Sequence, residues 1–116
     1  IKNGIVLTYH DNGVIKSSFR YVDGIIQGSS KTFYDIGLLK AEENFDRGQL
    51  HGLRKEYYMN GAVKGEQYYI YGKLDGWARF FFRNGKLNRE EYYKDGKIQR
   101  AKEYDSAGVL VSTFGY

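Results

Sequence analysis

The chain has no cysteine and no proline. The first absence excludes disulfides and thiolate metal sites. It leaves the compartment open between cytoplasm and cell surface, because disulfide-free proteins occur on both sides of a membrane. The second absence suits a sheet, since proline removes a ladder donor and is kept out of strand interiors. No apolar run approaches the roughly 18 residues that a membrane-spanning helix needs. No i, i+3, i+4, i+7 stripe marks an amphipathic helix. Charge of one sign is also scarce: 18 basic against 14 acidic residues leave a net +4. That surplus is too mild for the dense basic footprint of a dedicated nucleic-acid binder, so no specific nucleic-acid partner is expected. Neither a signal peptide nor an initiator Met is visible, and the chain reads as a mature protein or a slice of a longer array.

What is abundant is glycine (15) and tyrosine (12), and both are periodic. Gly4, Gly28, Gly52 and Gly76 are spaced by 24 residues, as are Gly13, Gly37, Gly61 and Gly85, and again Gly24, Gly48, Gly72 and Gly96. Such a comb marks an array of one small unit, which displays a surface more readily than it encloses a reaction chamber. With the first comb as position 0, position 5 holds Tyr9, Phe33, Tyr57 and Phe81, and position 17 holds Tyr21, Phe45, Tyr69 and Tyr93. Position 11 is aliphatic throughout: Ile15, Leu39, Val63 and Leu87. A fifth, partial unit begins one residue early, at Gln99, and supplies Tyr104, Leu110 and Tyr116.

Gly13, Gly61 and Gly85 of the second comb follow Asn, and Gly24 and Gly96 of the third follow Asp; Asn-Gly and Asp-Gly are the strongest short hairpin signals. Their spacing leaves strands of about 6 to 9 residues. The expected fold is all-β: residues 1–116 as one domain of four full 24-residue hairpin units plus a partial fifth, laid out as an elongated, single-layer, twisted antiparallel sheet of about ten strands. Alternation along the strand places positions 11, 13, 15 and 17 on one face, and the Lys16, Lys40 and Lys64 set with Glu42, Glu66 and Glu90 on the other as cross-strand ion pairs. The position 0 glycines are expected to lie bare beneath aromatic rings.

The stretch Gly76-Trp77-Ala78-Arg79-Phe80-Phe81-Phe82-Arg83-Asn84-Gly85-Lys86-Leu87-Asn88-Arg89-Glu90-Glu91-Tyr92-Tyr93-Lys94-Asp95-Gly96-Lys97 resembles a bacterial MORN-variant repeat of the YwqK-family antitoxin type. Residues 52–72 fit that pattern nearly as well through Tyr57, Asn60-Gly61, Glu66 and Tyr69, residues 28–48 less well, and residues 4–24 least. The resemblance implies a non-enzymatic β-repeat protein, in some relatives an antitoxin or immunity component paired with a toxin. Classical MORN repeats imply an alternative association with membrane lipid, although their Tyr-x-Gly-x-Trp opening is missing here.

No residue set points to catalysis, a cofactor or a metal. His10 and His51 fall at different repeat positions and read as isolated surface residues, and the turn aspartates read as backbone caps. Two columns stand out instead. Position 3 carries Lys31, Lys55 and Arg79 on the face of the position 5 rings, a basic column suited to an acidic protein or to anionic lipid. Position 6 carries Tyr34, Tyr58 and Phe82 on the opposite face. A single layer cannot bury both faces, so these rings are candidate anchors for another protein. The uncharged last strand, Val109 to Tyr116, is a candidate for edge-to-edge dimerisation.

Overall fold

A computed structural model describes residues 3–116. Ile1 and Lys2, the first residues of the expected domain, lie outside the described residues. The hairpins follow from two kinds of turn. Asp23-Gly24, Arg47-Gly48, Tyr71-Gly72 and Asp95-Gly96 each hold two consecutive positive φ angles, 52° and 80° in the first pair. That is the requirement of the two-residue type I′ turn, whose twist matches that of the strands it joins. The Asn-Gly comb builds a different turn. Around Gly13, the His10 N–H donates to the Val14 carbonyl at 2.8 Å, the Gly13 N–H donates to the His10 carbonyl at 2.9 Å, and Asn12 Oδ1 accepts from the Val14 N–H at 3.0 Å.

The chain threads these turns as β1 (Gly4–Tyr9), β2 (Ile15–Val22), β3 (Ile25–Ile26), β4 (Gly28–Phe33), β5 (Leu39–Asp46), β6 (Gln49–Leu50), β7 (Gly52–Tyr57), β8 (Val63–Ile70), β9 (Lys73–Phe81), β10 (Leu87–Lys94), β11 (Lys97–Tyr104) and β12 (Leu110–Phe114). Together they form one sheet in the order β1-β2-β4-β5-β7-β8-β9-β10-β11-β12, with short β3 and β6 paired to β2 and β5. Every pairing is antiparallel, and the molecule measures 49 × 33 × 15 Å. This is the expected elongated single-layer sheet. The shortened fifth unit is absorbed at Gln99, which the β10–β11 register skips between the pairs Tyr92↔Arg100 and Tyr93↔Ile98.

One recurring irregularity rearranges the faces. In each repeat hairpin the register slips at position 12: Thr32 pairs with Ala41 but Phe33 with Leu39, which leaves Lys40 without an opposite residue. Lys16, Lys64, Asn88 and Val111 are passed over in the same way. An extra residue on one strand shifts every later side chain to the other face. Positions 11 and 13 therefore do not share a face. Leu39 and Val63 lie opposite the Phe33 and Tyr57 rings, while positions 13 and 15 belong with positions 2 and 4 on the reverse face. The expected Lys40–Glu66 type of pairing fails for the same reason.

Among the described residues, the side chains below 9% exposed are those of Ser30, Ala41, Gln67, Ala78 and Ala101, mostly small, and none of the largest is fully covered. All five sit on the reverse face. The position 0 glycines do lie directly opposite position 17 rings, as in Gly28↔Phe45 and Gly52↔Tyr69. Their reason is conformational, however. Gly28 has φ +84°, and a Cβ there would meet nothing within 4 Å. The glycine that lies bare under a ring is Gly65, where an added Cβ would stand 3.1 Å from Phe80 Cδ1. Gly28→Ala is accordingly expected to cost about 1–2 kcal/mol from backbone strain alone, and Gly28→Asn less, because asparagine tolerates the left-handed region. Thermal melts check this: an alanine variant as stable as the wild type would refute the conformational account.

Candidate interaction surface

The front face is ordered by one row that crosses the whole sheet. Position 14 of each repeat stands opposite position 3 of its own hairpin and of the next repeat. The row therefore runs Leu7, Ser18, Lys31, Glu42, Lys55, Glu66, Arg79, Glu90, Lys102, Thr113. Its centre alternates in charge. Arg79 Nε lies 2.9 Å from Glu90 Oε2 and Lys55 Nζ 4.0 Å from Glu66 Oε2. The basic column Lys31, Lys55 and Arg79 is thus interleaved with carboxylates and is not a free cationic stripe. Opposite charges on facing strands contribute roughly 0.2–1 kcal/mol per pair.

The reverse face carries two further clusters. Arg54 donates to Glu43 at 2.8 Å and to Glu56 at 2.7 Å. Burial alone would lower its pKa, but the bonds to these two carboxylates outweigh that and raise it. Arg89 bonds Glu91 at 2.7 Å and approaches Glu103 at 3.7 Å.

Along the two long edges, side chains at three places in each of two columns tie one repeat to the next. At position 6, His10 Nε2 lies 2.8 Å from the Phe33 carbonyl, and the hydroxyls of Tyr34 and Tyr58 donate at 2.6 Å to the carbonyls of Tyr57 and Phe81. At position 23, Asn3, Gln27 and His51 each accept from a backbone N–H in the next type I′ turn, those of Asp23, Arg47 and Tyr71. Both histidines therefore serve as links between repeats and are not isolated surface residues. The sequence carries a signal for this: His10 shares its column with Tyr34 and Tyr58, and His51 shares its column with Asn3 and Gln27, each of which supplies a polar group at the same place. His51 also stacks on Tyr71, with ring centroids 4.4 Å apart. Bonds from Gln27 and then Tyr71 lower the pKa of Asp46 at the same edge. Among the described residues, no group of three or more His, Asp or Glu side chains could hold a metal ion.

The position 6 rings are half-buried, and those of Tyr34 and Tyr58 line a groove. It is open, about 460 Å³ in volume, and lined by Tyr34, Tyr58, Met59, Asn60, Lys64 and Arg83. Lys64 Nζ and Arg83 Cζ each sit 5.8 Å from the Tyr58 ring centre, and Lys40 Nζ is 5.7 Å from that of Tyr34. The bulge thus turns the position 12 lysines onto the Tyr rings and away from the glutamate column. Phe82, the third predicted anchor, has no hydroxyl to bind the next repeat and does not line this groove. Lys31, Lys55 and Arg79 lie on the other face. The structure therefore brings together only Tyr34 and Tyr58 from the predicted set, and adds Met59, Asn60, Lys64 and Arg83.

The sequence profile of the MORN repeat variant matches residues 2–23, 50–71 and 74–95, more than half of the chain. The protein belongs to the MORN repeat variant family. The unit at 2–23, whose residues keep the fewest positions of the repeat pattern, is among those matched, and the unit between 28 and 48 is not. No curated protein matches the sequence significantly. Among solved structures, the MORN-variant sheet is similar to part of the Glycosylation Associate Protein (Gap123) complex from Streptococcus agalactiae (TM-score 0.53, 15% identity), covering 99% of this chain and 22% of that one. It is similar also to part of TarM (TM-score 0.50, 14% identity), covering 84% of this chain and 19% of that one. The MORN-variant chain thus spans about a fifth of each of these proteins, and the likeness concerns the fold.

Two outcomes follow from the links between repeats. Removing the hydroxyl in Tyr34→Phe or Tyr58→Phe is expected to cost about 1 kcal/mol each, and the double variant about the sum, because the two bonds share no partner. Denaturant titration measures this, and unchanged midpoints would show the bonds to be idle. The second concerns alkali. Burial, and then the bond to the Glu42 carboxylate, raise the pKa of Tyr57 above its ordinary 10.0. Burial and the Glu91 carboxylate do the same for Tyr93. A raised folded-state value means a stabilising contribution that is whole below pH ~10 and is lost as pH climbs through the folded-state value. Melting temperature is therefore expected to drop above pH ~10, and less steeply in Tyr57→Phe.

Proposed function

We infer that this MORN-variant chain is a non-enzymatic protein-interaction module. Its partner seats an acidic, partly apolar surface in the groove along the position 6 column. In its sharpest form the module is an antitoxin or immunity protein that masks a cognate toxin by steric occlusion. One observation carries the reading: Lys64 and Arg83 are held over the Tyr58 ring beside an open groove, and neither is ion-paired among the described residues. Aromatic and arginine side chains held in place at the floor of a groove are the residue types that dominate binding energy at protein interfaces. The histidines and most of the strand carboxylates are committed to bonds within the sheet, and no acid–base pair is arranged for chemistry among the described residues. Anionic lipid is the less favoured occupant. The column that would have recognised it, Lys31, Lys55 and Arg79, alternates with Glu42, Glu66 and Glu90.

Co-purification from the source organism tests the reading. The wild type is expected to retain a protein partner at low salt, and Lys64→Glu with Arg83→Glu to lose it by tenfold or more in affinity, while remaining folded with a melting temperature lowered by only a few degrees through the loss of the contacts to the Tyr58 ring. Capture of no protein, or equal capture by the double variant, would overturn it. Binding to vesicles of anionic lipid that survives the double variant would move the function to the other face.

A further inference from the structure

The strands of the continuous ladder differ in one respect that the repeat pattern does not explain. β2, β4, β5, β7, β8, β9, β10 and β11 all carry charged residues, whereas β1 (Gly-Ile-Val-Leu-Thr-Tyr) and β12 (Leu-Val-Ser-Thr-Phe) carry none. These two are the strands with an open edge among the described residues. Natural sheets ordinarily do the reverse, placing lysine and other charges at the edge to prevent pairing with another chain. Here the edge residues are apolar and exposed: Ile5 63%, Leu7 43%, Leu110 47% and Phe114 55%.

The two edges are also the two halves of a junction that the protein already builds repeatedly. Wherever one repeat meets the next, the second strand of the earlier unit pairs antiparallel with the first strand of the later one: β2 with β4, β5 with β7, β8 with β9, β10 with β11. The register is the same each time. Ser18 faces Lys31, Glu42 faces Lys55, Glu66 faces Arg79 and Glu90 faces Lys102. β12 is a second strand and β1 is a first strand. In the shared register Thr113 would meet Leu7, Ser112 would meet Thr8 and Phe114 would meet Val6. At the junctions from β5 onward this rung is charge against charge. At the two ends both members are neutral, so neither leaves an unpaired charge when they meet. Two copies of β12 brought edge to edge would instead set a second strand against a second strand, a pairing that occurs nowhere in the ladder.

We propose that copies of this chain join head to tail, β12 of one copy pairing antiparallel with β1 of the next in the register of the inter-repeat junctions. The interface is heterologous, so the product is a string or ring of copies and not a two-fold dimer. It continues the repeat array across the boundary between chains, and it does not rest on the groove occupant inferred above.

The lack of cysteine makes the test clean. Leu7→Cys and Thr113→Cys are purified separately and mixed at high concentration under mild oxidation. The mixed disulfide is expected to exceed both self-linked products several-fold. Predominance of self-linked Thr113→Cys would overturn head-to-tail pairing in favour of symmetric pairing, and a wild type that stays monomeric by light scattering at the highest attainable concentration would overturn association altogether. Charge supplies a second arm. Leu7→Lys with Thr113→Lys is expected to abolish association, whereas Leu7→Lys with Thr113→Glu rebuilds the rung found inside the sheet and restores it, by at least tenfold in affinity over the double lysine. Equal behaviour of the two pairs would refute the register. Melting curves check that each variant stays folded: lysine at position 3 and glutamate at position 14 already occur in the inner repeats, whereas Thr113→Lys stands opposite Lys102 of its own hairpin and is expected to melt slightly lower.

Discussion

A sheet one layer thick has no interior, and the rest of this molecule follows from that constraint. Most of the best-covered residues are small, and among the described residues no large side chain is fully removed from water. Hydrophobic burial, the dominant stabilising term in most domains, is therefore spread thinly. Cohesion comes from contacts between neighbouring strands: the alternating charge row on the front face, the Arg54 and Arg89 clusters on the reverse, and the polar tips that reach from one repeat into the backbone of the next. Each is individually modest, about 0.2–1 kcal/mol for a cross-strand pair and about 1 kcal/mol for a hydrogen bond. Their strength lies in repetition along the axis, as in other arrays whose units touch only their neighbours.

The same constraint shapes the surfaces available to a partner. Because both faces are wetted, a side chain that holds the sheet together can also present itself to solvent. Tyr58 does both: its hydroxyl is committed to the Phe81 carbonyl, while its ring floors a groove under Lys64 and Arg83. The front face offers less, since its cations alternate with carboxylates. The ends of the array differ again, being the places where the row changes from charged residues to Leu7 and Thr113.

Much of the architecture was legible in the 24-residue comb. Glycines specify turns because few other residues accept positive φ, so the glycines of the second and third combs, five of them after Asn or Asp, mark the hairpins, the strand lengths and hence the single-layer antiparallel sheet. The partnerships across strands were far less legible. A bulge at position 12, which nothing in the composition announces, reverses the parity of alternation midway through each repeat. It sends Lys40 and Lys64 onto Tyr34 and Tyr58, and gives Glu42, Glu66 and Glu90 to Lys31, Lys55 and Arg79. The position 0 glycines were placed correctly opposite rings but for the wrong reason, because the chain needs their φ and not their emptiness. His10 and His51 looked isolated only because their partners lie in the following repeat.

By itself, then, the sequence determined where the chain turns, how long its strands are and that one unit recurs, since these depend on the conformational freedom of single residues. The tertiary structure decided which side chains meet, which face carries the open groove, and that the uncharged strands β1 and β12 lie at the two ends of the ladder. Those outcomes depend on register between residues on different strands, and a shift of one residue sends every subsequent side chain to the opposite face.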